Sequence, residues 1–353
     1  METLSSLKSI LLEKVRSLRG DSAKPSASVG QFASQQADQV LGASSQPQEV
    51  LRPEKERPAP ALPVGSYDVG QISKEQLNGL RASKDPKDHR LAATIERSQA
   101  AYSDMISQGS QVIANRSEGN GGYPVVTIKP PGFDPNKDTR VHTHYHGYHS
   151  TVADPKGHGA GMTARLEEMH KRDAANGQQT VVVLPEASNA PDNGGQVRTN
   201  WGNVKSQART TEDSLTAAGV THPGYRVVSA HSGGGDAIAN AINSDRSGAG
   251  LQADRLELQD SLYGSQGAVA QWGSTPNGKA AKQVVYYHGT NTPGNDKQFP
   301  KTFGSRYHRV EVGTPRASDI PKVENPAGKR VPAYNANPHD RTKGQFLDQF
   351  PDA

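Results

Sequence analysis

The stretch Tyr225–Ile242, YRVVSAHSGGGDAIANAI, constrains this chain more than any other. Arg226–Ala230 is a short run rich in β-branched residues and reads as a buried strand. It stops at His231-Ser232-Gly233-Gly234-Gly235. Apolar residues then recur at Ala237, Ile238, Ala241 and Ile242, which is helical spacing. A strand, a tight turn and a helix follow one another, with Ser232 at the apex. Small neighbours let the chain bend sharply there and let another group approach the serine closely. Taken alone, the turn fits an exposed nucleophilic serine, a glycine-rich turn with an incidental serine, or a phosphate-binding loop at a helix N-terminus.

The same reading extends on both sides. Val125–Ile128 and Thr139–His146 are strands, and Thr180–Leu184 is a buried strand closed by Pro185. Helices are expected at Met162–Ala175, with Leu166 and Met169 inward, and at Glu212–Ala218. Strands follow at Arg255–Gln259, stopping at Asp260, at Gln283–Tyr287, stopping at His288, and at Tyr307–Val312. Strands alternating with helices predict an α/β fold with an open, mostly parallel sheet flanked by helices. Ligands of such sheets sit at the carboxyl ends of the strands. Gly147, Ser232, Asp260 and His288 are expected there, with His339 on the loop beyond the last strand.

The N-terminal third reads differently. Residues 1–19 carry Leu4, Leu7, Ile10, Leu11, Val15 and Leu18 at amphipathic helical spacing, with Lys and Arg between them. Residues 20–83 are Ser, Gln, Ala, Pro and charge, including RPEKERPAPALP, and predict a disordered linker. Residues 84–122 form a helical lead-in, with helical periodicity from Arg90 to Ile113. The organised domain is expected over 123–353. The first helix either docks on the protein, lies on a membrane surface, or meets an export or chaperone partner. It lacks the continuous apolar core of a secretory signal. The compartment stays open between the cytoplasm and export by a non-classical route.

A serine hydroxyl needs a base to take its proton and an acid to orient that base. Ser232, Asp260 and His339 occur in the order nucleophile, acid, base. Asp296, after the next strand, is the rival acid. The pattern Ala230-His231-Ser232-Gly233-Gly234 resembles the G-x-S-x-G nucleophile elbow of the α/β-hydrolase superfamily of serine esterases and lipases, with alanine for the first glycine. His144-Tyr145-His146-Gly147-Tyr148 resembles that family's oxyanion-hole turn. The resemblance covers roughly 123–350 and leaves the N-terminal third outside. It implies a hydrolase of ester bonds, with amide bonds the lesser alternative, with backbone amides near Gly147 or Tyr148 and at Gly233 facing the oxyanion, and no cofactor.

Two other classes stay open. His142, His144 and His146 alternate on one strand face, and Thr143–His149 resembles the metal motif of the metallo-β-lactamases. With His144, His146, His149, His222, Asp260 and His288 the chain would then build a two-zinc site. Tyr148 stands where that motif needs an aspartate. The third class is a catalytically silent hydrolase fold acting as a binding protein. Composition removes further classes. There is no cysteine for a disulfide, a thiol nucleophile or a thiolate zinc site. A net charge of +4 without a basic stripe predicts no nucleic-acid partner. No apolar run approaches the roughly 20 residues of a membrane span. The substrate expected is a small-molecule or polymer ester, and the polar loops 186–209 and 293–306 lean towards a polar one.

Overall fold

The computed structural model describes residues 62, 65–147, 151–153, 158–187, 201–245, 251–289, 292, 294–312, 322–324 and 330–332. They belong to one unit, Pro60–Ala353. The expected N-terminal helix lies outside the described residues.

In chain order the elements are β1 (Ser66–Asp68), α1 (Lys74–Ala82), α2 (Pro86–Ala101), α3 (Ser103–Ser107), β2 (Gln111–Ser117), β3 (Tyr123–Lys129) and β4 (Thr139–Tyr145). There follow α4 (His158–Ala175), β5 (Thr180–Pro185), α5 (Val204–Ala218), β6 (Pro223–His231), a 3₁₀ turn over Ser232–Gly234 and α6 (Gly235–Ser244). The remainder is β7 (Arg255–Gln259), α7 (Gln266–Trp272), α8 (Pro276–Ala280), β8 (Gln283–His288), α9 (Phe299–Phe303), a 3₁₀ turn over Gly304–Arg306 and β9 (Tyr307–Glu311). A separate hairpin pairs β10 (Lys322–Glu324) with β11 (Arg330–Pro332).

Among the described residues nine strands form one sheet in the order β1-β2-β3-β5-β4-β6-β7-β8-β9. The pairs β1–β2, β2–β3 and β3–β5 are antiparallel; all pairs from β5 through β4 to β9 are parallel. Parallel strands need crossovers and therefore carry helices on both faces. One face packs Val112, Val126, Ile128, Val182 and Leu184 against α1, α2 and α4, where Leu166 and Met169 point inward as expected. The other face packs Val228, Ala230, Leu256, Leu258 and Val284 against Ala237, Ile238, Ala241 and Ile242 of α6 and Val269 and Trp272 of α7. Each fully buried Leu or Ile contributes about 1.5–3 kcal/mol relative to exposure. Burial on both faces explains why these strands read as continuous apolar runs.

Several elements differ from the expectation. Residues 66–68 and 74–82, read as linker, form β1 and α1. Helix α1 starts on a capping box in which Ser73 Oγ accepts from the Gln76 amide and the Gln76 side chain accepts from the Ser73 amide. The helical lead-in ends at Ser107, not Ile113. Gly109 at φ 92° turns the chain, and Gln111–Ser117 then pairs with all seven residues of β3. Helix α5 begins at Val204, eight residues before the expected Glu212, on a cap in which Asn203 accepts from the Ser206 amide.

Candidate active site

The β6–α6 turn is tightly constrained. Among described non-glycine residues only Ser232 (φ 52°) and Asp260 (φ 44°) have left-handed backbone. Such a conformation costs about 1–3 kcal/mol and persists only where the surroundings enforce it. Glycines do the enforcing here. A Cβ on Gly234 would lie 2.3 Å from the Tyr145 carbonyl oxygen, and one on Gly235 would lie 1.9 Å from that of Ser261. A Cβ on Gly147 would stand 2.9 Å from Ser232 Cβ and 3.0 Å from His231 Nδ1. The turn is thus wedged between the end of β4 and the loop behind β7.

Strand register sets the rest. His231 pairs with Gln259, and Gln259 with Tyr287. Ser232 and Asp260 each follow these paired residues by one, so they leave adjacent strands, about 4.7–4.9 Å apart, at the same level. Asp260 is fully buried. Its amide donates to the Tyr287 carbonyl, and its Oδ1 accepts from Thr292 Oγ1 at 2.6 Å. Tyr286 OH lies 2.6 Å from Thr292 Oγ1 and 2.9 Å from the Thr292 carbonyl, to which it donates. Burial first, then the Asp260 and Asp296 charges, push the Tyr286 hydroxyl well above its ordinary range despite the Thr292 bond, so it remains a donor.

Asp296, also buried, is held otherwise. Arg309 meets both of its oxygens at 3.0 Å, and the Tyr307 hydroxyl donates to it. These contacts fasten the chain after β8 to the edge strand β9. Gly147, Gly233, Ser232 and Asp260 converge at the carboxyl ends of β4, β6 and β7. Tyr148, His149 and His339 lie outside the described residues.

The histidines expected as metal ligands are spread apart. His146 Nδ1 donates to the Gly147 carbonyl at 2.8 Å and its Nε2 accepts from the Ala187 amide at 3.2 Å, so the main chain takes both nitrogens. Its ring meets Trp201 edge-on, at 4.9 Å between centroids. His142 Nε2 and His144 Nδ1 lie 2.7 and 2.8 Å from Ser229 Oγ, inside the sheet. Burial, then the charges of His144, Arg255 and Arg140, drive His142 well below the ordinary histidine range, so it is neutral. His288 Nδ1 is 2.7 Å from Glu311 Oε2. His222 precedes the opposite, amino end of β6, roughly 30 Å of strand from His231. It thus lies at the other end of the sheet from Asp260 and His288, which sit at the carboxyl ends of β7 and β8. Among the described residues no group of three or more His, Asp or Glu side chains could hold a metal ion.

The antiparallel strands β2 and β3, the β5–β4 exchange and a serine at the β6–α6 turn decide the architecture. The fold is α/β-hydrolase-like. Among solved structures the chain is similar to the apo form of esterase 2 of Thermogutta terrifontis, at 15% identity and a TM-score of 0.33, over 53% of this chain and 77% of that one. The butyrate-bound form of that esterase gives 16% and 0.34 over the same shares. A thermostable esterase gives 11% and 0.35, over 58% of this chain and 54% of its own. No family model matches the chain, and no curated protein matches it. No helix among the described residues is long and apolar enough to cross a membrane.

Neither Thr292 nor Tyr286 is marked by the sequence. Tyr286 is hidden inside an apolar strand run, and Thr292 sits in a polar loop with no motif around it. A threonine four residues past a strand end, beside a buried carboxylate on the neighbouring strand, is visible only once the register is known.

Proposed function

We propose that the chain is a serine hydrolase of ester bonds. The observation that carries this reading is the left-handed Ser232 at the β6–α6 turn, packed against Gly147 and level with Asp260. Strain at a partly exposed serine among glycines suits a nucleophile that must stand clear of its sheet. Ser232 Oγ attacks the ester carbonyl while His339 takes its proton. Asp260 orients His339 and stabilises the imidazolium. Amides near Gly147 or Tyr148 and at Gly233 receive the oxyanion, where each such donor contributes about 2.7–4 kcal/mol to the transition state. The tetrahedral intermediate collapses, its C–O bond breaks, and the alcohol leaves with the proton from His339. Water then releases the acid from Ser232 by the same steps in reverse order.

Asp260 is preferred to Asp296 as the orienting acid. Asp296 spends both oxygens on Arg309 and Tyr307, which suits a structural tie. Asp260 leaves the strand beside Ser232 in an enforced conformation. The occupied nitrogens of His146 and the remote His222 argue against the zinc reading.

The test is labelling of the purified chain with a fluorophosphonate, for the wild type and Ser232→Ala, with and without a chelator. Labelling that requires Ser232 and ignores the chelator is expected. A wild type that neither labels nor turns over p-nitrophenyl acetate refutes the reading.

A further inference from the structure

The buried groups behind Asp260 carry an inference that rests on the reading above. We propose that Tyr286 and Thr292 are positioning residues that fix the Asp260 carboxylate through a two-step hydrogen-bond relay. All three side chains are buried: Asp260 and Tyr286 fully, and Thr292 at 1% exposure. Thr292 Oγ1 donates to Asp260 Oδ1 at 2.6 Å. Having given its only hydrogen to the carboxylate, the Thr292 hydroxyl faces Tyr286 OH, 2.6 Å away, as an acceptor. The single hydrogen of Tyr286 OH is shared between that hydroxyl and the Thr292 carbonyl, 2.9 Å away, so it holds the residue's main chain as well as its side chain.

The relay has a rigid base. Tyr286 sits in β8, paired with Leu258 of β7 on one side and with Arg309 of β9 on the other. Its ring belongs to the same core as Ala237, Ile238 and Ala241 of α6. The helix that follows Ser232 and the tyrosine that sets Asp260 therefore pack into one apolar cluster. The loop bearing Thr292 is tied down twice more. Asn295 Nδ2 donates to the Leu262 carbonyl at 2.7 Å, and Asp296 is bound by Arg309.

Such a relay matters because a carboxylate that orients a base must hold one rotamer. A charge-assisted bond from a donor that is itself anchored fixes that rotamer and favours the ionised form. An apolar residue at 292 would remove this hydrogen bond from a buried carboxylate.

The experiment compares wild type, Ser232→Ala, Thr292→Val, Thr292→Ser and Tyr286→Phe in the full chain, with p-nitrophenyl acetate as the probe ester. Thr292→Val is expected to lower kcat about 10- to 100-fold, the range for a lost hydrogen bond to a charged group, with KM within about 2-fold. Thr292→Ser keeps the hydroxyl and is expected to recover most of that loss. Tyr286→Phe is expected to lower kcat by a smaller factor. If Thr292→Val does not fold, Tyr286→Phe, which keeps the ring, decides the matter on the same readout. Wild-type turnover that requires Ser232, together with unchanged kcat in the folded variants, overturns the relay and leaves the hydrolase reading standing. Absence of Ser232-dependent turnover in the wild type overturns both.

Discussion

Replacing Gly235 with alanine inserts one methyl group where α6 meets the loop behind Asp260. Local propensity favours the change. Gly235 has ordinary helical backbone, φ −56° and ψ −24°, and alanine in a helix gains up to about 1 kcal/mol over glycine. The surroundings oppose it. The new Cβ would sit 1.9 Å from the Ser261 carbonyl oxygen and 3.2 Å from Ser265 Oγ. Close C···O contacts settle at about 3.3–3.6 Å, so one of the two backbones must move by roughly 1.4 Å. A carbonyl on the main chain cannot rotate aside as a side chain would. Overpacking of this kind costs about 1–3 kcal/mol, which outweighs the propensity gain. At about 2–4 °C per kcal/mol for a domain of this size, the melting temperature falls by several degrees. The moving pieces carry Ser232 and Asp260, and a misplacement of about 1 Å costs on the order of 100-fold in rate. Circular-dichroism melting and p-nitrophenyl acetate turnover measure the two effects. Gly267→Ala is the control: that glycine lies in α7 with nothing within 4 Å of a Cβ, and its variant should melt at or slightly above the wild type. A Gly235→Ala protein that behaves like this control refutes the wedge geometry.

Two further outcomes follow from buried titratable groups. Burial holds His170 down to about 4, against the opposing Asp173 charge and a backbone hydrogen bond at Thr180. Between pH 6.5 and about 4 the unfolded chain binds this proton and the folded chain does not, so stability is full above 6.5 and falls as pH falls. The loss reaches about 3 kcal/mol by pH 4, and urea titrations at pH 7 and 4.5 should show a shallower decline for His170→Leu than for the wild type. At the site, Asp260→Asn should cost on the order of 10⁴-fold in kcat, the scale of losing an orienting carboxylate. Asp296→Asn should instead lower the melting temperature and keep turnover within about 10-fold of the wild type. The reverse pattern would make Asp296 the acid.

Much of this architecture is legible in the sequence, for a physical reason. Strands buried on both faces are mostly apolar along their length, so Val181–Leu184 and Val125–Ile128 declare themselves without any partner. The Ser232 turn is equally plain, because only small residues tolerate carbonyls at 2–3 Å. What escapes the sequence is whatever depends on pairing. Gln111–Ser117 contains Asn115 and Arg116 and follows a helix, so its few apolar residues extend the helical periodicity. Its strand character comes from β3 beside it, and Arg116 is engaged by Asp88 of α2 and by Asp85, the cap of that helix. Helix α1 had a signal in Ser73-x-x-Gln76, submerged in a polar stretch. In β7 the residues Arg255, Glu257 and Gln259 are all buried, with Arg255 paired to Glu257 at 2.6 Å. Alternation there would ordinarily mean a solvent-facing side. The rotamer of Asp260 and its Thr292 partner belong to register, which no local pattern encodes.

The early strands also decide where this protein can be shortened. A chain begun at Tyr123, where composition first turns globular, would lose β1 and β2. It would expose the whole outer edge of β3, YPVVTIK, whose five central residues are buried in the intact fold. An unpaired edge with that sequence is a template for another copy to join. The parallel half of the sheet, with the Ser232 turn, is therefore protected from aggregation by the antiparallel strands at its edge, and a well-behaved minimal protein has to begin before Ser66.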